Sequence, residues 1–297
     1  MRPALLLLIL CLCGLGRPAA AAPYKVTAPP KSLVRKLGLS PFYKKYLDDR
    51  GFPILASDNV SDYALREAAY LIDQMLAGRD DIRRALIRNK VRFVVMAPTE
   101  MTTTIPEYSD LTPARYWDRR ARGLGATPER PVVSCGEENL LGYPGDPYKG
   151  ENILIHEFSH AIHEMGLRFL DPTFDQRLRT AYADAMQKGL WKGTYSAVNP
   201  AEYWAEGVQD WFDCGHPPVK GVHNDVATRE QLVAYDPELA GLIASVFPNK
   251  TWRYQTPEQR GYADHLQGYD PAKAPHFQWD PALQAWYKEY QARQEKR

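Results

Sequence analysis

Between Ile153 and Gly166 the chain reads I-L-I-H-E-F-S-H-A-I-H-E-M-G, which sets three histidines and two glutamates into a stretch otherwise apolar enough for the inside of a helix. At about 100° per residue, Leu154, Phe158, Ala161 and Met165 share one stripe, the core face of an amphipathic helix, and His156, His160 and His163 fall opposite it. His156 and His160 are one turn apart. Their imidazoles therefore project side by side and can take two adjacent positions around a tetrahedral zinc ion. Glu157 lies next to them, within reach of a water on such an ion without being a ligand itself. The order H-E-F-S-H is the H-E-x-x-H arrangement of zinc metallopeptidases. A solvated polar helix face is the alternative reading, but the flanking apolar residues predict a deeply packed helix on which unpaired polar groups are costly. His163, one turn further on, is expected to be a hydrogen-bonding neighbour rather than a ligand.

A catalytic zinc takes three protein ligands and keeps one position open. An extended pattern with glycine at position 163 and histidine at 166 would supply the third ligand locally; the chain has His163 and Gly166, so that arrangement is excluded. A later helix, Asn199 to Phe212, offers a carboxylate instead. Its apolar stripe is Trp204, Val208 and Trp211, and Glu202, Glu206 and Asp213 take the other side. Packed together, the two helices would bring Glu202 in as third ligand and Glu206 as an outer acceptor for a histidine N–H. Asn199-x-x-Glu202 also fits a capping box, in which case Glu206 is the substitute ligand. Tyr195, seven residues before Glu202, is placed to donate to a developing oxyanion, against the alternative of an ordinary packed loop tyrosine.

H-E-F-S-H followed by Y-S-A-V-N-P-A-E-Y-W-A-E resembles the catalytic core of the anthrax lethal factor-like zinc metallopeptidases, a group that includes secreted bacterial Pro-Pro endopeptidases. The resemblance covers Ile153 to about Phe212. It implies zinc ligation by His156, His160 and Glu202, a general-base role for Glu157, transition-state hydrogen bonding by Tyr195 and outer support from Glu206. It also implies a zincin-like fold and a peptide or protein substrate, held as an extended strand against a sheet edge. The activity to expect is a secreted zinc-dependent endopeptidase with one zinc ion. The rival is a secreted zinc-binding or protein-binding module that keeps the fold without catalysis; intact Glu157 and Tyr195 argue against it, because a non-catalytic site needs neither.

The start of the chain agrees with secretion. Arg2, an apolar run from Ala4 to Cys13 and the small-residue segment to Ala22 match the three regions of a signal peptide, 1–22. No later stretch approaches the roughly 20 apolar residues of a membrane helix. Beyond residue 22 the cysteines are Cys135 and Cys214, and a pair in an oxidising compartment predicts one disulfide closing about 80 residues, worth roughly 4 kcal/mol. Two buried free thiols are the alternative. Asn59-Val-Ser61 and Asn249-Lys-Thr251 are glycosylation sequons. The chain has 37 basic and 36 acidic residues; without Arg2 and Arg17 these become 35 and 36. So even a balance gives no reason to expect a nucleic-acid partner.

Residues 23–297 are expected to form a single domain with an N-terminal extension over about 23–60. Asp or Asn before Pro recurs as a helix-start signal at Asp171, Asn199, Asp236 and Asp280. With Gly166, Gly189 and Pro248 as ends, helices are predicted near 61–77, 79–89, 151–165, 172–188, 200–213, 237–247 and 281–295. Strand signal is limited to 91–96 and a possible edge at 131–134. The fold class is therefore α+β, mostly helical with a small sheet. The stretch 97–150, rich in Pro, Gly and Thr, reads as a long functional loop.

Overall fold

The computed structural model describes residues 24–247 and 251–294; the expected signal peptide, 1–22, and the Asn249 sequon lie outside the described residues. The fold is α+β. Six strands, β1 (Val26–Thr27), β2 (Lys45–Asp49), β3 (Phe52–Ala56), β4 (Arg92–Met96), β5 (Gly123–Leu124) and β6 (Val132–Gly136), form one sheet in the order β1-β2-β3-β4-β6-β5. Strands β3, β4 and β6 run parallel, and β1, β2 and β5 add antiparallel pairs at the two sides. The helices are α1 (Lys31–Leu37), α2 (Asp62–Met75), α3 (Asp80–Arg88), α4 (Ala114–Arg120), α5 (Glu137–Leu141), α6 (Ile153–Ala161), α7 (Arg168–Leu170), α8 (Phe174–Gln187), α9 (Pro200–Trp211), α10 (Arg229–Tyr235), α11 (Pro237–Val246) and α12 (Pro281–Gln294).

The central strands are buried on both faces, as parallel strands covered by helices are. Ile54, Ala56, Phe93, Val95, Val133 and Cys135 point into the main core with α2, α6 and α9. Alternate residues Leu55, Val94, Met96 and Val132 enter a smaller core with Leu39, Tyr43 and Tyr108, flanked by Leu33, Val34 and Leu37 of α1. Strand 131–134, expected at an edge, is thus corrected: β6 pairs on both sides. The segment expected as an N-terminal extension is likewise integral, because β1, β2 and β3 all fall within it. Their signal was weak for a physical reason. Lys45-Tyr-Leu-Asp-Asp49 carries three charges, and β3 contains Pro53, a residue that usually argues against a strand.

Three of the four Asx-Pro starts behave as expected, and α8 instead begins two residues after Pro172, at Phe174. Asn199 accepts from the N–H groups of Ala201 and Glu202, Asp236 from Leu239 and Asp280 from Leu283. At Asp171 the carboxylate accepts from Thr173 N–H, one residue before α8 begins. The helix of the histidines differs from expectation in how it ends. It does not stop at Gly166 but continues as a π-helical turn, Ile162–Leu167, into α7. Gly166 serves close packing there: a Cβ would stand 3.0 Å from Ile82 Cγ2 of α3.

The predicted disulfide is corrected as well. Cys135 and Cys214 are free and buried. Each thiol donates to a nearby carbonyl, Cys135 to Gly136 O at 3.3 Å and Cys214 to Gln209 O at 3.4 Å. Burial pushes both thiols well above the usual cysteine range, so they stay protonated. Asn59 is exposed, with its amide 3.3 Å from Glu100 Oε1. Among the described residues no helix is long and apolar enough to cross a membrane.

One buried acid gives the fold a testable pH dependence. Glu137 at the start of α5 is 2% exposed, and its carboxylate accepts from Ser61 N–H at 2.7 Å, linking α5 to the N-terminus of α2. Burial, with Glu138 and Glu100 adding to it, pushes its carboxyl up to about 7. The folded state therefore holds a proton that the unfolded chain has released above pH ~4.5, and stability falls as pH rises from there to ~7, by on the order of 3 kcal/mol in all. Glu137→Gln is expected to flatten that slope. Urea unfolding of both proteins at pH 5 and pH 8 measures it; equal slopes in the two would assign the effect to other groups.

Candidate metal centre

α6 is seated by two asparagines. Asn152 caps it, accepting from Ile155 N–H at 2.9 Å, and Asn139 of α5 accepts from Ile153 N–H at 2.8 Å. α9 lies across it, with Trp204 Nε1 donating to Ser159 O at 2.9 Å. The stripe expected in the core, Leu154, Phe158, Ala161 and Met165, is buried, but so are His156 and His163 on the other side. The helix is thus covered nearly all round, and its polar groups need partners inside the protein.

They have them. His156 Nε2 lies 3.2 Å from His160 Nε2 and 3.2 Å from Glu202 Oε2, and His160 Nε2 lies 3.4 Å from the same oxygen. These three residues form a group that could hold a metal ion. The triangle has the size an ion requires: ligand bonds of 2.0–2.1 Å at tetrahedral angles put ligand atoms about 3.3 Å apart. The capping-box alternative for Glu202 is resolved by the same geometry. Asn199 alone caps α9, and the Glu202 carboxylate turns to the histidines. Burial opposes its charge, yet hydrogen bonds from His156 and His160 hold its carboxyl well below the ordinary range, so it is the anion a cation needs.

The outer side of His156 shows what the sequence reading missed. Its Nδ1 faces Gln209 Oε1 at 2.9 Å, and Gln209 Nε2 in turn donates to Asn152 O at 3.2 Å and Glu151 Oε2 at 3.1 Å. The amide is thereby oriented with its oxygen toward the imidazole. Burial opposes a charge on His156, yet its hydrogen bonds to Glu202 and Glu206 hold the imidazole well above its ordinary value; were an ion to take Nε2, the proton left on Nδ1 would face Gln209 Oε1. Glu206 stands in the outer position expected of it, 3.4 Å from His156 Nδ1, and also pairs with His223 Nδ1 at 3.1 Å. Gln209 continues the polar stripe of α9, seven residues from Glu202 and three from Glu206, so periodicity could have found it; His223, on a distant loop, left no such signal. Asp213, expected on that face, instead accepts from Arg229 N–H away from the centre. His163 is the hydrogen-bonding neighbour expected, 2.8 Å from Asp175 Oδ1.

The group opens onto a cleft of about 660 Å³, which Glu157, Tyr195 and His223 also line. Burial raises the Glu157 carboxyl above its ordinary value against the pull of His156 and His160. Tyr195 is held by its own N–H on Val222 O and by Arg120, whose guanidinium donates to its hydroxyl at 3.1 Å. The opposite wall is β5, the outer strand of the sheet. Arg122, fully buried in an ion pair with Glu138 at 2.6 Å and donating to Ala97 O at 3.0 Å, anchors the residue before it. Gly125, just after β5, passes so close to α6 that a Cβ would stand 2.7 Å from His160 Cβ. The 97–150 stretch, read as a functional loop, thus supplies α4, β5, β6 and α5, and with α4 and β5 two walls of the cleft. Comparison with family models, curated proteins and solved structures returned no match.

Proposed function

We propose that this chain is a secreted zinc-dependent endopeptidase of zincin-like fold, related to the anthrax lethal factor-like group that its motifs resemble. The observation that carries the reading is the convergence of His156 Nε2, His160 Nε2 and Glu202 Oε2 on one point, beside a half-buried glutamate that is not part of the triangle. Neutral imidazoles and one carboxylate are a donor set that suits zinc. When bound, zinc supplies a Lewis acid and makes water a nucleophile at neutral pH.

The chain's own residues account for the rest. Glu157 accepts the proton of the attacking water on its carboxylate and returns it to the leaving amine; its raised pKa suits a group that must hold a proton between the two events. Tyr195 donates its hydroxyl to the carbonyl oxygen as negative charge develops there. Gln209 keeps His156 in the tautomer that leaves Nε2 free. β5 supports the expected mode of substrate binding: it ends the sheet beside the cleft, so an extended peptide can add to it as a further strand.

The test is cleavage of a proteome-derived peptide mixture by the purified protein. Hydrolysis is expected that a chelator abolishes and added zinc restores. Stoichiometric zinc without any cleavage would favour the binding module instead.

A further inference from the structure

We propose that Arg120 binds a carboxylate of the substrate next to the scissile bond, an inference that rests on the peptidase reading and specifies its substrate class. α4 carries three arginines. Two of them are taken up by aromatic rings of the C-terminal segment: the Arg115 guanidinium lies 5.8 Å from the Trp286 ring centre, and that of Arg119 lies 4.5 Å from Trp279 and 5.4 Å from Tyr287. Tyr116 between them packs on Tyr287 and Tyr290 of α12, with ring centres 5.9 and 5.4 Å away. α4 is therefore clamped against α12, and Arg120 is the arginine of this helix that lines the cleft.

There its partner is a neutral phenol. Nη2 donates to the Tyr195 hydroxyl at 3.1 Å, and the Tyr195 ring stands 6.3 Å from that of His156. Among the described residues no carboxylate pairs with Arg120. Four glutamates lining the same cleft are engaged elsewhere, Glu151 with Gln209, Glu164 with Arg168, Glu202 with the two histidines and Glu206 with His223, and the fifth, Glu157, feels the charge of Arg120 without an ion pair to it. A guanidinium has five N–H donors in a planar fork that matches a carboxylate, and the phenol uses one of them. The cation thus stands one hydrogen bond beyond the phenol that faces the proposed reaction centre, with donors to spare. An acidic side chain and a free C-terminus present the same chemistry to it.

The test uses the full chain carrying Glu157→Gln, so that peptides bind without turnover, and the parent protein for cleavage. Three synthetic peptide libraries are compared: one with Asp and Glu and amidated C-termini, one with Asn and Gln in their place and free C-termini, and one with Asn and Gln and amidated C-termini. One of the first two is expected to bind and to be cleaved at least about tenfold better than the third, which identifies the source of the carboxylate. Arg120→Gln should bring the ratio close to one, and Arg120→Lys should keep part of it. If all three are cleaved alike, the carboxylate role is overturned and the peptidase reading stands. Carboxylate-selective, Arg120-dependent binding with no cleavage of any library would support the subsite and overturn the peptidase reading; absence of binding to all three overturns both.

Discussion

Glu157→Gln is expected to lower peptide turnover by about 10²–10⁴ while the protein keeps one metal ion per chain. The amide has the volume of the acid, which matters in a site where a Cβ on Gly123 would already stand 3.0 Å from Glu157 Cγ. The ligating atoms belong to His156, His160 and Glu202, so none is lost. What disappears is a group able to take up a proton, and with it the raised proton affinity that burial gives this carboxyl. Steady-state kinetics paired with metal analysis measure both halves. Metal loss alongside activity would make Glu157 a ligand and undo its assignment as base.

Glu202→Ala is expected to abolish metal retention outright and activity with it, while α9 stays folded. The helix start depends on Asn199, which caps both Ala201 and Glu202 through its own side chain, so the Glu202 carboxylate is not needed for capping. Its partners are His156 and His160, and removing it opens one corner of the triangle. Gln209→Leu offers a graded comparison. It leaves all three ligands in place but removes the nearer partner of His156 Nδ1, with Glu206 remaining at 3.4 Å, a loss of the kind that typically weakens metal binding about 10–100-fold. Competition with a fluorescent chelator ranks the three proteins. Full affinity in Glu202→Ala, with loss on Glu206→Ala, would move the ligand role one turn along α9.

Several helices were legible from local chemistry, although α10, capped by Thr228 on Gln231 N–H, escaped. Ser61, Asn199, Asp236 and Asp280 each put an oxygen on an orphan N–H at a helix start, and the predicted spans near 61–77, 200–213, 237–247 and 281–295 match α2, α9, α11 and α12 closely. The sheet was legible only where a strand is apolar on both faces without interruption, as in β4. β2 and β3 escaped because charges and Pro53 obscure them, and β5, two residues long, is too short to show any periodicity. The paired cysteines misled for a related reason: a count of thiols says nothing of their directions, and each of these is turned to a carbonyl.

By itself the amino-acid order determined which groups share a face: histidines four apart on one helix, and Glu202 and Glu206 four apart on another, stand on common sides because 3.6 residues make a turn. Only the tertiary structure decided that the two faces meet, because α6 and α9 are 46 residues apart at His156 and Glu202 and their approach depends on side-chain packing such as that of Trp204 on Ser159. The same packing set Gln209 beside Glu206 behind His156, brought His223 in from a loop, and stood Arg120 at the cleft with a phenol for a partner. Local periodicity is written in a few consecutive residues, whereas these contacts are made by atoms far apart in the chain and exist only once the core between them is filled.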